Sequence, residues 1–148
     1  MIIDSLHGPW PWATQAKYAQ AVRAGDLILT GGIGPFDEEG DLINGDCAAQ
    51  VRQTFSNLRV VLAEFGCGLE AIASMTVFVS DQAAYETFQA VRPDYLGAPY
   101  PASTAVAAGR LLVDGMRIEI NAIAYAGANR VPFHPGDPDQ DEALAYGG

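Results

Sequence analysis

The chain has 148 residues, 49% hydrophobic and 18% charged, with 18 acidic against 8 basic side chains and a net charge of −10. That length suits one domain with a sizeable core, and the few scattered basic residues exclude a nucleic-acid-binding face, which needs Lys and Arg clustered together. Cys47 and Cys67 make neither a disulfide framework nor a metal-ligand spacing; no run approaches the ~18 apolar residues of a membrane span and the N-terminus lacks a signal pattern, so a cytoplasmic protein with no membrane partner is expected.

Residues 1–16 hold Gly8, Pro9, Pro11, Trp10 and Trp12. Proline at this density predicts an irregular arm, with tryptophans that cover apolar surface or stack on a ligand. Residues 18–32 read as two short strands that turn at Ala24-Gly25-Asp26. The following run Gly31-Gly32-Ile33-Gly34-Pro35 is not a phosphate loop, because it lacks both GK[ST] and G-x-G-x-x-G. Glycines there let the backbone turn sharply or let a ligand approach closely. Residues 37–41 form an acidic, solvated turn.

Asp46 is a suitable N-cap for a helix over 46–65, where Ala48, Val51, Phe55, Leu58, Leu62 and Phe65 make one apolar stripe and Gly66 supplies the stop. Cys47 sits in the first turn, where a helix N-terminus can lower a thiol pKa, but no His lies nearby in sequence to make it a nucleophile, and both cysteines read as structural or incidental. Residues 71–80 alternate as a strand. Asp81 then caps a second helix, with Tyr85, Phe88, Val91 and Tyr95 inward and Pro93 ending it early.

Residues 99–125 read as two strands joined at Asp114-Gly115, a strong hairpin signal. In the second strand Ile118, Ile120, Ala122 and Ala124 share one face, and Arg117, Glu119, Asn121 and Ile123 the other. Strands disfavour Glu, so Glu119 asks for a reason. A two-residue turn places Arg110 opposite Glu119, and a cross-strand ion pair is one explanation. The other is a general acid/base with a pKa raised by desolvation; the two predict opposite titration. Residues 127–148 are an acidic, proline-bearing tail without periodicity, expected to be mobile, and residues 1–126 the single domain. His7 in the arm and His134 in the tail are poorly placed as catalytic bases.

The order strand, strand, helix, strand, helix, strand, strand is an α+β arrangement with two helices on one face of a sheet. The second face carries apolar groups such as Phe78 and Ile123, and self-association is the simplest way to cover them.

Several segments resemble the Rid family, also called YjgF or reactive-intermediate deaminases: Tyr18-Ala-Gln-Ala-Val, Gly25-Asp-Leu-Ile-Leu-Thr-Gly-Gly, Gln50-x-x-Gln53-x-x-x-Asn57-Leu58, Met75-Thr-Val-Phe-Val-Ser-Asp81, Pro101-Ala-Ser-Thr-Ala-Val106 and Ile118-Glu-Ile-Asn-Ala-Ile-Ala124. They span residues 18–125 in order. The resemblance implies a chorismate-mutase-like α+β fold and a homotrimer whose sheets form a central barrel, with three clefts between subunits. It implies hydrolysis of enamines and imines without a cofactor or metal, an Arg that grips a substrate carboxylate, a Glu on the last strand, and a Tyr that closes a neighbour's cleft.

Carried over, Tyr18 matches the tyrosine and Glu119 the glutamate, whereas Ser103 stands at the arginine position. A bidentate Arg–carboxylate clamp gives orientation and binding energy; Ser offers one neutral hydroxyl. Gly31 and Ile33 replace polar residues of the family's Ser-Gly-Gln run, Gly32 keeps the central glycine, and Ala105 keeps a small residue. The expected site is therefore Glu119 as catalytic residue, with Tyr18, Gly31, Gly32, Ser103 and Ala105 lining the substrate. The expected reaction is hydrolysis of a small imine, enamine or carbonyl compound that lacks the usual carboxylate. The alternatives are a non-catalytic trimer binding a small ligand and a tautomerase-like pathway enzyme.

Overall fold

A computed structural model describes residues 3–127; the tail from residue 128 on and His134 lie outside the described residues. The elements are β1 (Ile3–Leu6), β2 (Ala21–Ala24), β3 (Leu27–Thr30), α1 (Cys47–Ala63), β4 (Ile72–Val79), α2 (Gln82–Val91), β5 (Ala102–Ala107) and β6 (Ile118–Tyr125). The strands form one mixed sheet in the order β1-β2-β3-β6-β4-β5, so the chain is α+β. No helix among the described residues is long and apolar enough to cross a membrane.

Both helices start where a carboxylate meets an otherwise unpaired N–H. Asp46 accepts from the Ala49 amide at 2.9 Å and Asp81 from the Ala84 amide at 2.8 Å. Arg117 adds a second hold on Asp81 at 3.0 Å and donates to Ser80 Oγ at 2.7 Å. The Ala84 N–H and then the guanidinium draw the Asp81 carboxyl below its ordinary value. The apolar stripe of α1 is buried through Val51, Phe55, Leu58 and Leu62. Phe55 stacks on Tyr95 at 4.7 Å and on Phe88 of α2 at 6.0 Å. Ile28, Ile72, Val77, Ile118 and Ile120 complete this core from the sheet. Pro93 ends α2, and residues Arg92–Asp94 continue as one 3-10 turn.

Two expectations are corrected. The hairpin over 99–125 does not form. β5 pairs parallel with β4 (Met75 opposite Ser103) and β6 pairs antiparallel with the other side of β4 (Phe78 opposite Glu119). The reason is the crossover: α2 returns the chain so that β5 must run parallel to β4, and the loop 108–117 then passes over the end of β4. That loop is tied to β4 on both sides, by Ala108 N to Val79 O at 2.8 Å and Ser80 N to Arg117 O at 3.0 Å. The Asp114-Gly115 turn is real, with Met116 N donating to Val113 O at 3.1 Å and Gly115 at φ +83, but it bends a loop rather than joining paired strands. Arg110 therefore lies away from Glu119 and pairs with Asp114 at 2.7 Å, both exposed.

The N-terminal arm is also more regular than proline content predicts. Residues Ile3–Leu6 pair with β2, and Pro11–Gln15 is a 3-10 helix. The prolines fall outside the strand, and Pro11 opens the helix, where its missing N–H leaves nothing unpaired. The Cys47 thiol is pushed above its ordinary value, because burial outweighs the nearby Arg117.

The loop 108–117 is fixed to α1 by Gln50, which is buried. Its Nε2 donates to Gly115 O at 2.8 Å and its Oε1 accepts from Arg117 N at 2.7 Å. Gln50→Leu strands both backbone groups and is expected to cost about 2–4 kcal/mol, read as a lower urea midpoint at unchanged slope.

Candidate functional site

β6 alternates, so Glu119 points to the sheet face opposite Ile118 and Ile120. Just beyond β3 the backbone bends, and Ile33 exchanges hydrogen bonds with Ile120 at 2.8 and 2.9 Å. This bridge brings Gly32 against Glu119: a Cβ added at Gly32 would run into the carboxyl. Glycine is expected here for a sharp turn or a ligand's approach; at Gly32 the group that comes close is Glu119 itself. Gly31 beside it serves the backbone, its N–H donating to Gln20 O at 2.8 Å.

Glu119 faces a cavity of about 330 Å³. One wall is aromatic. Trp10 and Trp12 stack at 5.7 Å with 9° between their planes, and Phe36 meets Trp12 at 6.5 Å. Tyr18, 62% exposed, stands in the same lining, as do Leu112, Val113 and Met116 from the loop that Gln50 anchors. The third side is polar. Asn57 is buried and spent on structure: it donates to Gly34 O and Phe36 O, both at 2.8 Å, and accepts from Gln53 Nε2 at 3.0 Å. Gln20 is only 4% exposed, yet its side-chain amide makes no hydrogen bond among the described residues. The Trp12 indole N–H is enclosed and also lacks an acceptor there, so its ring is held by its faces.

Among the described residues no Lys, Arg or His lines this cavity. Burial raises the Glu119 carboxyl above its ordinary value, and no cation opposes that shift. Of the two titrations open from sequence, the upward one is found, because Arg110 is elsewhere. A carboxyl that keeps its proton nearer neutrality, beside an apolar space, is suited to giving a proton and taking it back. Among the described residues no His, Cys, Asp and Glu side chains group as a metal site would require.

The other expected residues lie apart. Ser103 and Ala105 share the face of Met75 and Val77, opposite to that of Glu119. They line a second cavity, about 360 Å³, with Tyr85, Tyr100 and Arg92. Arg92 lays its guanidinium over the Phe88 ring at 5.6 Å. One chain thus joins Glu119, Gly32 and Tyr18 in one cavity and Ser103 with Ala105 in another. Sequence reasoning missed Gln20 and Phe36 as lining and treated the tryptophans mainly as cover. The available signal was Asn57, a polar residue on the packed side of α1, which marks a loop that needs holding.

The family model described as Endoribonuclease L-PSP matches residues 11–126. The chain is 34% identical over 109 residues to a RutC family protein of Pyrococcus abyssi, covering 73% of this chain and 85% of that one. It is 34% identical over 115 residues to the 2-iminobutanoate/2-iminopropanoate deaminase of Escherichia coli K12, covering 76% and 89%. The crystal structure of RidA from an Antarctic Psychrobacter superimposes with a TM-score of 0.71 at 28% identity, covering 84% of this chain and 98% of that one.

Proposed function

The chain belongs to the Rid/YjgF family, and on that premise we propose that it is a cofactor-independent imine or enamine deaminase, with Glu119 moving the protons. The observation that carries this reading is an acid whose pKa is raised by burial in a cavity that no cation lines among the described residues. Protonated Glu119 gives its proton to the imine nitrogen. Water adds to the carbon, and the carboxylate takes the proton released. The carbinolamine then collapses, so that imine and water become a carbonyl compound and ammonia. Tyr18 and Gly32 border the reacting centre.

The homotrimer belongs to the same proposal. Leu27, Leu29, Val106, Ile123 and Tyr125 lie 38–45% exposed on the Glu119 face of the sheet. Covering that face with two further copies is the arrangement that would let the Ser103 and Ala105 cavity of one subunit meet the Glu119 cavity of the next. A cytoplasmic site of action goes with this reading. Ribonuclease action, named in the family description, fits poorly with a net charge of −10.

The substrate proposed is an imine without a carboxylate, because the anchor position is Ser103. A second reading is favoured by Arg92, a cation in the Ser103 cavity able to hold a carboxylate in place of the missing strand arginine. Ammonia release from freshly generated 2-iminopropanoate and from a neutral aryl N–H ketimine separates them. The first reading expects the ketimine to be accelerated at least tenfold more. Equal or faster turnover of 2-iminopropanoate, lost in Arg92→Gln, establishes the second. Acceleration of neither compound overturns both.

A further inference from the structure

The polar side chains around Glu119 are unevenly used. Asn57 spends its whole amide on loop carbonyls and on Gln53. Gln20, 4% exposed, spends none of its side chain among the described residues. The Gln20 amide, with no partner among the described residues, is open to whatever fills the space beside it: Gln20 sits in the cavity lining, where an occupant can supply what the protein does not. An amide is both donor and acceptor, and the Glu119 carboxyl accepts a hydrogen bond whether or not it carries a proton. The two thus call for an edge that carries one donor and one acceptor side by side.

The rest of the lining fixes the remainder of the occupant. Trp12 and Phe36 bring aromatic rings, tilted at 58° to each other, into the lining, Met116 adds a soft thioether, and the volume of about 330 Å³ is at the small end of ligand pockets. Flat rings suit such walls. With no basic residue in the lining among the described residues, a carboxylate placed here would be desolvated beside Glu119 without a counter-charge, which is strongly unfavourable.

We infer that the Glu119 cavity is a binding site for a neutral, flat ring compound with a hydrogen-bond donor and acceptor on one edge, its ring against Trp12, Phe36 and Met116 and its edge on the Gln20 amide and the Glu119 carboxyl. This deepens the proposed function by naming the ligand class of that site, and makes Gln20 a specificity-determining residue. Gln20 forms no side-chain hydrogen bond within the described protein, so its replacement by Met removes ligand contacts without stranding a protein group.

The test uses 2-quinolinone, a neutral bicyclic lactam, and quinoline-2-carboxylate, the same ring system with a charge, titrated calorimetrically into the full-length protein at pH 7. The lactam is expected to bind at least tenfold more tightly than the carboxylate, and Gln20→Met to weaken the lactam at least tenfold while leaving the melting temperature within a few degrees. A second measurement needs no variant. The chain has two tryptophans, both in this lining, so their indole N–H resonances report occupancy; the lactam is expected to shift them and the carboxylate, at equal concentration, not to. Equal or tighter binding of the carboxylate, unshifted indole signals with the lactam, or unchanged affinity in a folded Gln20→Met overturns the inference. Binding is read without turnover: a protein that takes the lactam but hydrolyses no imine refutes the proposed activity alone, and one that hydrolyses imines but ignores the lactam refutes this inference alone.

Discussion

Glu119→Gln is expected to slow imine hydrolysis by about 100-fold or more, the range of a lost general acid/base, while making the folded protein more stable at alkaline pH. The two effects share one cause. Burial holds the Glu119 pKa above its ordinary value of 4.5. Between that ordinary value and the raised one, the folded protein keeps a proton that the unfolded chain has released. Stability therefore falls as pH rises through this window. Above it the folded state carries a half-buried carboxylate, and the isosteric neutral amide removes the desolvation this costs. Melting temperatures of the two proteins should coincide near pH 4 and separate by pH 8, with the variant higher. A variant less stable at pH 8 would mean that the carboxylate is held by a cation, as in the ion-pair alternative. Unchanged turnover with raised stability would leave Glu119 a strained group without a catalytic part.

Ile123→Glu is expected to convert a species of three 15.7 kDa copies into one of a single copy, read by light scattering. Ile123 lies beside Leu29 across the β3–β6 pair, within the apolar face of Leu27, Val106 and Tyr125. An association that buries this face would have to desolvate the new carboxylate without a partner, at a cost of several kcal/mol. Val60→Glu is the control, since Val60 is also partly exposed but lies on α1, away from that face, and should leave the mass unchanged. If the two cavities form one cleft only between subunits, turnover should fall at least tenfold with the mass. A wild-type protein of single-copy mass would remove the shared cleft and leave the Glu119 cavity to act alone.

The legible parts of this molecule are those governed by neighbours in sequence. Asp46 and Asp81 cap their helices because capping is decided within three residues. The α1 stripe and the β6 alternation are periodicities, and they correctly put Ile118 and Ile120 in the core and Glu119 on the other face. The hairpin failed because a turn dipeptide reports only that the chain bends. Whether the flanking strands pair depends on which partner is free: the β4–α2–β5 crossover sets β5 on one edge of β4, and β6 takes the other, between β3 and β4. The strand at Ile3–Leu6 was hidden by prolines that lie beyond it.

The sequence by itself determined the family, the layered α+β arrangement and the candidate acid, since these rest on local pattern and on residue type in order. Tertiary structure alone decided that Arg110 leaves Glu119 unpaired, that burial can therefore raise its pKa, and that Gln20, Trp12 and Phe36 meet it around one cavity while Ser103 opens into another. Charge partners and cavity walls are properties of side chains far apart along the chain, and only strand order and face bring them together.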